Sequence, residues 1–501
     1  MKSLEKDNFF KNSFFLTASN ITTGLLGFIF SIYLSKIIGP EGLGLYGLIM
    51  PIYNLFICLM TAGIIAAISQ RAAIYSTNKQ YNNLFNTLKS VALFNIAWAI
   101  FIGILVFFIA PYISKYGIKD IRTLTAIRVT CPAMVFIAIS NILKGFFYGT
   151  SRIVVPAFID ILEKAMRILT LALLIFMFKA TTITSLVTLA YVCLALGELQ
   201  SLLLLYCYYR KIKRELPITY DKSERKSQLL FNVLVISIPL SINGFLGNAF
   251  YTVSTLVVPR RLMIAGFEYT DALALIGKFC AMSLTIVTFP MIVIGSINML
   301  LVPDLSQTMS QGQFYNAALR IKKVLKIAFL LGIATTIICF LIPDSLGQMF
   351  YDRSDLGSYI KAAAISAPIY FTANTMFGIL NGLNRQGIIL RNSIFISAIE
   401  LLCLYFLTSI PSINIYSYAI TIFITSCTSL VINLYEINKH IELNLSFTNI
   451  IIFLLVSILV FLMLKIFTVQ LLDDLFISKN LIIILITYSL FAYLSTFGIE
   501  D

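Results

Sequence analysis

Apolar residues in this chain come in long runs separated by short polar stretches. About 20 such residues suffice for a helix to cross the hydrocarbon core of a bilayer. Fourteen runs predict helices of that kind, near 12–34, 43–68, 88–113, 122–143, 154–178, 183–208, 229–258, 270–302, 323–343, 358–381, 388–410, 413–435, 447–470 and 478–497. The longest hydrophilic stretch, Arg210 to Gln228, separates the sixth run from the seventh. It divides the chain into an N-terminal lobe (1–209), a basic cytoplasmic linker (210–228), a C-terminal lobe (229–436) and an appended pair of spans (437–501).

The halves repeat one another. Ser69-Gln70 recurs as Ser306-Gln307, Ile142-Leu143-Lys144-Gly145 as Ile379-Leu380-Asn381-Gly382, and Glu163 as Glu400, all at an offset of 237 residues. The offset carries span five onto span eleven. Six helices is an even number, so both copies cross the membrane in the same direction. The expected fold is an all-α polytopic membrane protein of about 14 transmembrane helices, two pseudo-symmetric six-helix lobes plus an appended helix pair. Membrane proteins of two similar halves commonly move one half against the other around a site between them, the logic of transporters.

Composition agrees: 59% of residues are hydrophobic and 12% charged, against about 25% charged in soluble domains. The formal net charge of +14 is read as topology and contact with anionic lipids rather than nucleic-acid binding. With the N-terminus inside, inner segments hold 22 Lys and Arg and outer segments 9. That asymmetry predicts cytoplasmic termini. The lysines at the start precede an apolar run with no clear cleavage site, so the first segment is expected to stay as a helix. Eight scattered cysteines without CxxC spacing and a single histidine, His440, suggest no disulfide framework, metal site or histidine-dependent catalysis. No outer loop is long enough to form a folded domain.

Charges inside the spans are the candidates for function, because each costs on the order of 2.5–3.5 kcal/mol near the bilayer centre unless it faces protein or water. Span five carries Asp160, Glu163, Lys164 and Arg167. Spacing of four pairs Glu163 with Arg167 and Asp160 with Lys164, acid first. Glu400, the repeat mate of Glu163, has no basic residue four positions away, and Glu198 lies in span six. Glu163, Glu400 and Glu198 are therefore candidate coupling or cavity carboxylates. Arg128, Arg167, Lys278, Arg260 and Arg261 are candidates for binding an anionic phosphate headgroup, arginine offering a planar fork and lysine a point charge. Snorkelling to the headgroup layer is the alternative for Arg128, Lys278, Arg260 and Arg261. Pro51, Pro132, Pro239, Pro290 and Pro368 are candidate hinges, or prolines that membrane helices simply tolerate. Gly24, Gly27, Gly42, Gly44 and Gly47 are expected to permit close helix packing.

Ser-Lys-Ile-Ile-Gly-Pro-Glu-Gly-Leu-Gly-Leu-Tyr-Gly at 35–47, Leu-Val-Pro-Asp-Leu-Ser-Gln at 301–307 and Leu-Lys-Gly-Phe-Phe-Tyr-Gly at 143–149 resemble the stage V sporulation protein B family. That family lies in the polysaccharide-transporter branch of the multidrug/oligosaccharidyl-lipid/polysaccharide exporter superfamily. The resemblance covers essentially the whole chain. It implies two six-helix lobes in a V that open alternately to either side. It also implies a flippase of lipid-linked sugar precursors, lipid II for the spore cortex first among them, in the cytoplasmic membrane of a bacterium.

No cofactor is expected; a coupling ion, H⁺ or Na⁺, or the membrane potential would drive the cycle. The expected partners are the lipid-linked sugar, membrane lipids and cell-wall synthesis enzymes. Related lipid II flippases keep basic residues on the first two spans and at the start of the eighth; Lys278 resembles the latter, whereas 12–34 and 43–68 hold neither arginine nor lysine. A multidrug/cation antiporter, a membrane glycosyltransferase and a non-transporting scaffold for cortex-building enzymes are the competing readings.

Overall fold

The computed structural model describes residues 2–61, 63–215, 224–443, 447–470 and 476–496. Residues 216–223 of the predicted linker, and 444–446, 471–475 and 497–501 of the appended pair, lie outside the described residues. Among the described residues there are helices and connecting turns and no strand.

The first helix, α1 (Lys2–Thr61), holds the first predicted span and most of the second. Between them Gly39 adopts φ 67°, a region that glycine enters without steric cost, and Pro40 follows, so the helix kinks there. A second left-handed glycine, Gly63 at φ 77°, separates this leg from α2 (Ile64–Thr77). A Cβ at Gly63 would lie 2.6 Å from Leu240 Cβ and 2.8 Å from the Ser237 carbonyl oxygen. There follow α3 (Tyr81–Tyr112), α4 (Leu124–Gly149), α5 (Val154–Phe178), α6 (Ile183–Glu215) and α7 (Lys226–Ile264).

Helices gain little from hydrophobic association inside lipid, so close van der Waals packing over small residues must hold them. Gly145 and Gly149 on α4 supply it: a Cβ on Gly145 would fall 2.9 Å from Ile68 Cβ, and one on Gly149 would meet the Ser69 carbonyl oxygen and Ala72 Cβ. Around this crossing Phe146, Phe147, Leu84 and Leu205 are buried, and Leu229 and Val233 of α7 join the same core. Phe108 on α3 and Phe176 on α5 are by contrast 72% and 81% exposed, an apolar surface suited to lipid rather than water.

The second half begins with α8 (Tyr269–Ile276), which passes through a π-helical segment, Gly277–Ser283, into α9 (Leu284–Thr288). Next come α10 (Met291–Ser310), α11 (Phe314–Leu341), α12 (Pro343–Tyr351), α13 (Gly357–Ala364), α14 (Ala367–Gly382), α15 (Gln386–Leu407) and α16 (Ser417–Asn438). The appended pair, α17 (Phe447–Gln470) and α18 (Phe476–Thr496), packs on α11: Val460, Leu464 and Phe491 share a core with Leu330, Ile333 and Ile337.

Two compact units result, residues 1–256 and 257–501. The sequence places the junction at 210–228; in the structure α7 packs with the first unit as far as Leu256. Its side chains explain why. Thr252 Oγ1 donates to the Pro51 carbonyl at 3.1 Å, Asn248 Nδ2 donates to Cys58 Sγ at 3.0 Å, and Leu229 and Val233 complete the first core.

Eleven helices among the described residues are long and apolar enough to cross a membrane, or twelve if the bent pair α13–α14 forms one span. The sequence count of fourteen differs for physical reasons. Phe15–Thr77 is one stretch that contains two predicted spans, and the predicted eighth span is broken between Thr288 and Met291. Span five carries four charges within α5, and the shorter apolar stretch Ile451–Phe467 lies in α17. Among the described residues every predicted run is mainly helical.

Candidate functional site

Charges of the first unit meet across three helices, α4, α5 and α6. On α5, Glu163 and Arg167 are one turn apart and buried, 5% and 7% exposed. Arg167 Nη2 donates to Glu163 Oε1, the pairing that the spacing of four predicts. Glu198 on α6 faces the same guanidinium, its Oε1 3.7 Å from Nη2. Sequence spacing pairs Asp160 with Lys164, but the structure distributes them differently. Lys144, one helix earlier, reaches Asp160 Oδ1 at 2.8 Å, and Lys164 turns to Glu163 Oε2 at 3.2 Å. A contact between helices replaces one along the helix because α4 brings an amine directly opposite Asp160.

The surroundings are built for this network. Gly197 on α6 leaves room for the Glu163 carboxylate, since a Cβ there would stand 2.7 Å from Oε1. Cys193 Sγ donates to the Arg167 carbonyl at 2.9 Å, and Phe30 lies under the guanidinium, 6.0 Å from ring centroid to Cζ. From the second leg of α1, Tyr46 stacks on Tyr191 at 4.7 Å, and the Tyr191 hydroxyl donates to the Tyr46 carbonyl at 2.8 Å. Tyr53, 4% exposed, brings a hydroxyl that has no hydrogen-bond partner among the described residues, and Arg167 Nε is likewise unpartnered among them. Buried polar groups are normally satisfied, so unpaired ones at a charged cluster mark a place where protonation or a ligand matters.

Glu163, Arg167 and Glu198 are thus gathered. The other predicted residues are not part of that cluster. Arg128 on α4 stacks over the Phe107 ring of α3 at 4.8 Å. In the second unit Lys278 Nζ pairs with Asp355 Oδ2 at 2.7 Å, and Arg353 grips the same carboxylate with Nε at 2.8 Å and Nη2 at 2.7 Å. This fork, with Lys278 beside it, holds the Asp355 carboxyl well below the usual carboxylate range. Arg261 Nε donates to the Tyr405 carbonyl at 2.7 Å while its guanidinium lies 3.4 Å from the Tyr405 ring centroid; Arg260 precedes it, half-buried, on α7. Glu400 on α15 is half-buried and makes no hydrogen bond or ion pair among the described residues; Tyr370 of α14 is its electrostatic neighbour.

Sequence reasoning missed Lys144, Tyr53, Arg353 and Asp355 as members of these clusters. Lys144 was visible within the repeated Ile-Leu-Lys-Gly, where asparagine stands in the second copy. The replacement of a charge by a neutral residue inside a repeat was the available signal.

The model of the polysaccharide biosynthesis protein family matches residues 9–309, more than half of the chain. Stage V sporulation protein B of Bacillus subtilis (strain 168) is 28% identical over 422 residues, 84% of this chain and 81% of that protein. The lipid II flippase MurJ of the same organism is 22% identical over 403 residues, 75% of this chain and 73% of its own. A solved structure of the lipid II flippase MurJ in an inward closed conformation superposes with a TM-score of 0.72 at 12% identity, covering 96% of this chain and 98% of that one. The chain therefore belongs to the polysaccharide biosynthesis protein family, as a multi-pass membrane transporter.

Proposed function

We propose that this protein flips a lipid-linked sugar precursor across the bacterial cytoplasmic membrane by alternating access, with lipid II the first substrate to test. The reading draws on two relatives, a sporulation protein and a lipid II flippase, that align over most of their lengths. A sugar pyrophosphate headgroup cannot cross hydrocarbon unaided, because unsatisfied polar and charged groups are expensive there. A protein that carries it must place charge inside its helices.

The observation that carries the proposal is the six-residue network of Lys144, Asp160, Glu163, Lys164, Arg167 and Glu198 within α4, α5 and α6. Hydrophobic side chains of similar volume would hold three helices together without the desolvation cost of six charges. Retention of the charges is what substrate contact or ion coupling requires. The two carboxylates around Arg167 also favour a second reading, a cation antiporter on the same fold.

Reconstitution into vesicles with labelled lipid II, and separately with a polyprenyl-linked oligosaccharide, tests the function. Translocation of either, dependent on an imposed proton gradient or potential, is expected. Transport of a fluorescent organic cation with no movement of either lipid would replace the flippase by the antiporter.

A further inference from the structure

Within the network the two glutamates are treated unequally. Glu163 takes hydrogen-bonding cations on both oxygens, Arg167 on one and Lys164 on the other. Glu198 stands 3.7 Å from Arg167 Nη2, beyond hydrogen-bond reach, and no hydrogen bond to it forms among the described residues, although its side chain is only 13% exposed. A largely covered carboxylate without a donor among the described residues draws its stabilisation from the neighbouring charges. Tyr53, the neighbour whose hydroxyl could serve it, is itself unpartnered among those residues.

The groups around Glu198 come from each packed helix: Tyr53 from α1, Lys144 from α4, and Glu163, Lys164 and Arg167 from α5, while Tyr46 of α1 and Cys193 of α6 lie beside Arg167. Counting the ion-paired members, Lys144, Lys164 and Arg167 balance Asp160, Glu163 and Glu198. The set is neutral while Glu198 is ionised. Adding one proton makes it a monocation. A metal cation at the same place would lie against the Arg167 guanidinium and be repelled, whereas a proton cancels one carboxylate without displacing anything.

We propose that Glu198 is a proton-binding residue, and that its protonation leaves the α4–α6 network with one net positive charge that an anionic phosphate of the headgroup binds. This rests on the flippase reading and adds the coupling ion to it. Lys164 is the accessible cation of the set, 34% exposed at its side chain, and offers the phosphate its first contact. Lys164 then exchanges Glu163 for the phosphate, while Arg167 retains Glu163. Because linkage is reciprocal, the proton tightens phosphate binding by the factor that phosphate tightens proton binding.

The full-length protein in lipid nanodiscs provides the test. Infrared difference spectra recorded between a basic and an acidic pH should show a buried protonated carboxyl band that Glu198→Gln removes. Farnesyl pyrophosphate should bind the wild type about tenfold more tightly at the lower pH, within the usual range of coupling between sites. Glu198→Gln, neutral at every pH, should bind it tightly and independently of pH. Lys164→Gln should weaken binding at both pH values yet retain the carboxyl band, which separates the proton site from the phosphate contact.

Persistence of the band in Glu198→Gln, or an unchanged pH dependence of binding, would overturn the proposal. If band and pH-dependent binding behave as expected while no lipid-linked sugar is translocated, the proton site stands and the flippase reading falls.

Discussion

Glu41 and Lys278 occupy the same register of the two chain halves, 237 residues apart, and carry opposite charges. Each is tied to the segment ahead of a later helix in its own half. Glu41 accepts from Arg122 at 2.7 Å, and Arg122 also grips Asp120. Lys278 pairs with Asp355, which Arg353 also grips. One latch is acid, base, acid; the other is base, acid, base.

The second latch predicts acid sensitivity. Asp355 is held below the usual carboxylate range by Arg353 and Lys278, so its contribution is complete above the unfolded value of about 4 and is lost as pH falls through the lower folded value. Since the carboxylate is 42% exposed, solvent screening limits that contribution to about 1 kcal/mol or less. Corrected for the intrinsic slowing of amide exchange in acid, hydrogen exchange at 352–356 should accelerate on acidification in the wild type. In Asp355→Asn it should already be faster at neutral pH and change little.

Helix crossings in the two halves also correspond, and they rank three substitutions. Gly145 packs on Ile68 in the first half as Gly382 packs on Leu305 in the second, both pairs related by 237. A Cβ at Gly149 would strike the backbone of Ser69. One at Gly145 would lie 2.9 Å from Ile68 Cβ and 3.0 Å from the Ile65 carbonyl oxygen, and one at Gly382 would meet Leu305 Cβ and Cδ2 at 3.0 Å with the nearest backbone oxygen, of Val302, at 3.3 Å. Overpacking of this kind costs about 1–3 kcal/mol. Thermal unfolding in detergent should therefore be lowered most by Gly149→Ala, less by Gly145→Ala and least by Gly382→Ala.

Those crossings explain what the sequence could reveal. Apolar runs located most helices but not α12 (Pro343–Tyr351), which falls between the runs 323–343 and 358–381. The glycine of the repeated Ile-Leu-Xaa-Gly sits at a close crossing in both copies. The kink at Gly39 falls between the runs 12–34 and 43–68 and is local to Gly39-Pro40, whereas the assignment of α7 to the first unit was not legible, since it depends on what the helix meets in three dimensions. The Glu163 and Arg167 pairing followed from a spacing of one turn. Lys144 with Asp160, and Lys278 with Asp355, escaped detection because those partners lie on separate elements, and no periodicity connects them.

The Glu163 and Arg167 pair separates stability from activity. Arg167→Met alone leaves Glu163 facing Lys164 and Glu198, two carboxylates with a single amine between them. Removing one partner of a buried pair typically costs about 3–5 kcal/mol. The double variant Glu163→Gln with Arg167→Met removes both charges and should recover most of that loss in a thermal melt. Translocation should stay impaired in the double variant. A double variant as active as the wild type would reduce the network to packing.

Glu400 offers the complementary case. It repeats Glu163 but stands where the second half supplies neither an Arg167 nor a Lys164: positions 404 and 401 are both leucine. With no ion pair among the described residues to lose, Glu400→Gln should leave the melting temperature unchanged or raise it, because a half-buried charge is exchanged for a neutral amide of the same shape. Glu163→Gln should lower it, because Arg167 would lose its hydrogen-bonded counterion. If Glu400 faces a wetted path and takes part in coupling, the same conservative change should shift the pH or ion dependence of translocation by reconstituted protein without abolishing insertion. A rate profile superimposable on the wild type, alongside an unchanged melt, would assign Glu400 to packing and leave coupling to the first half alone.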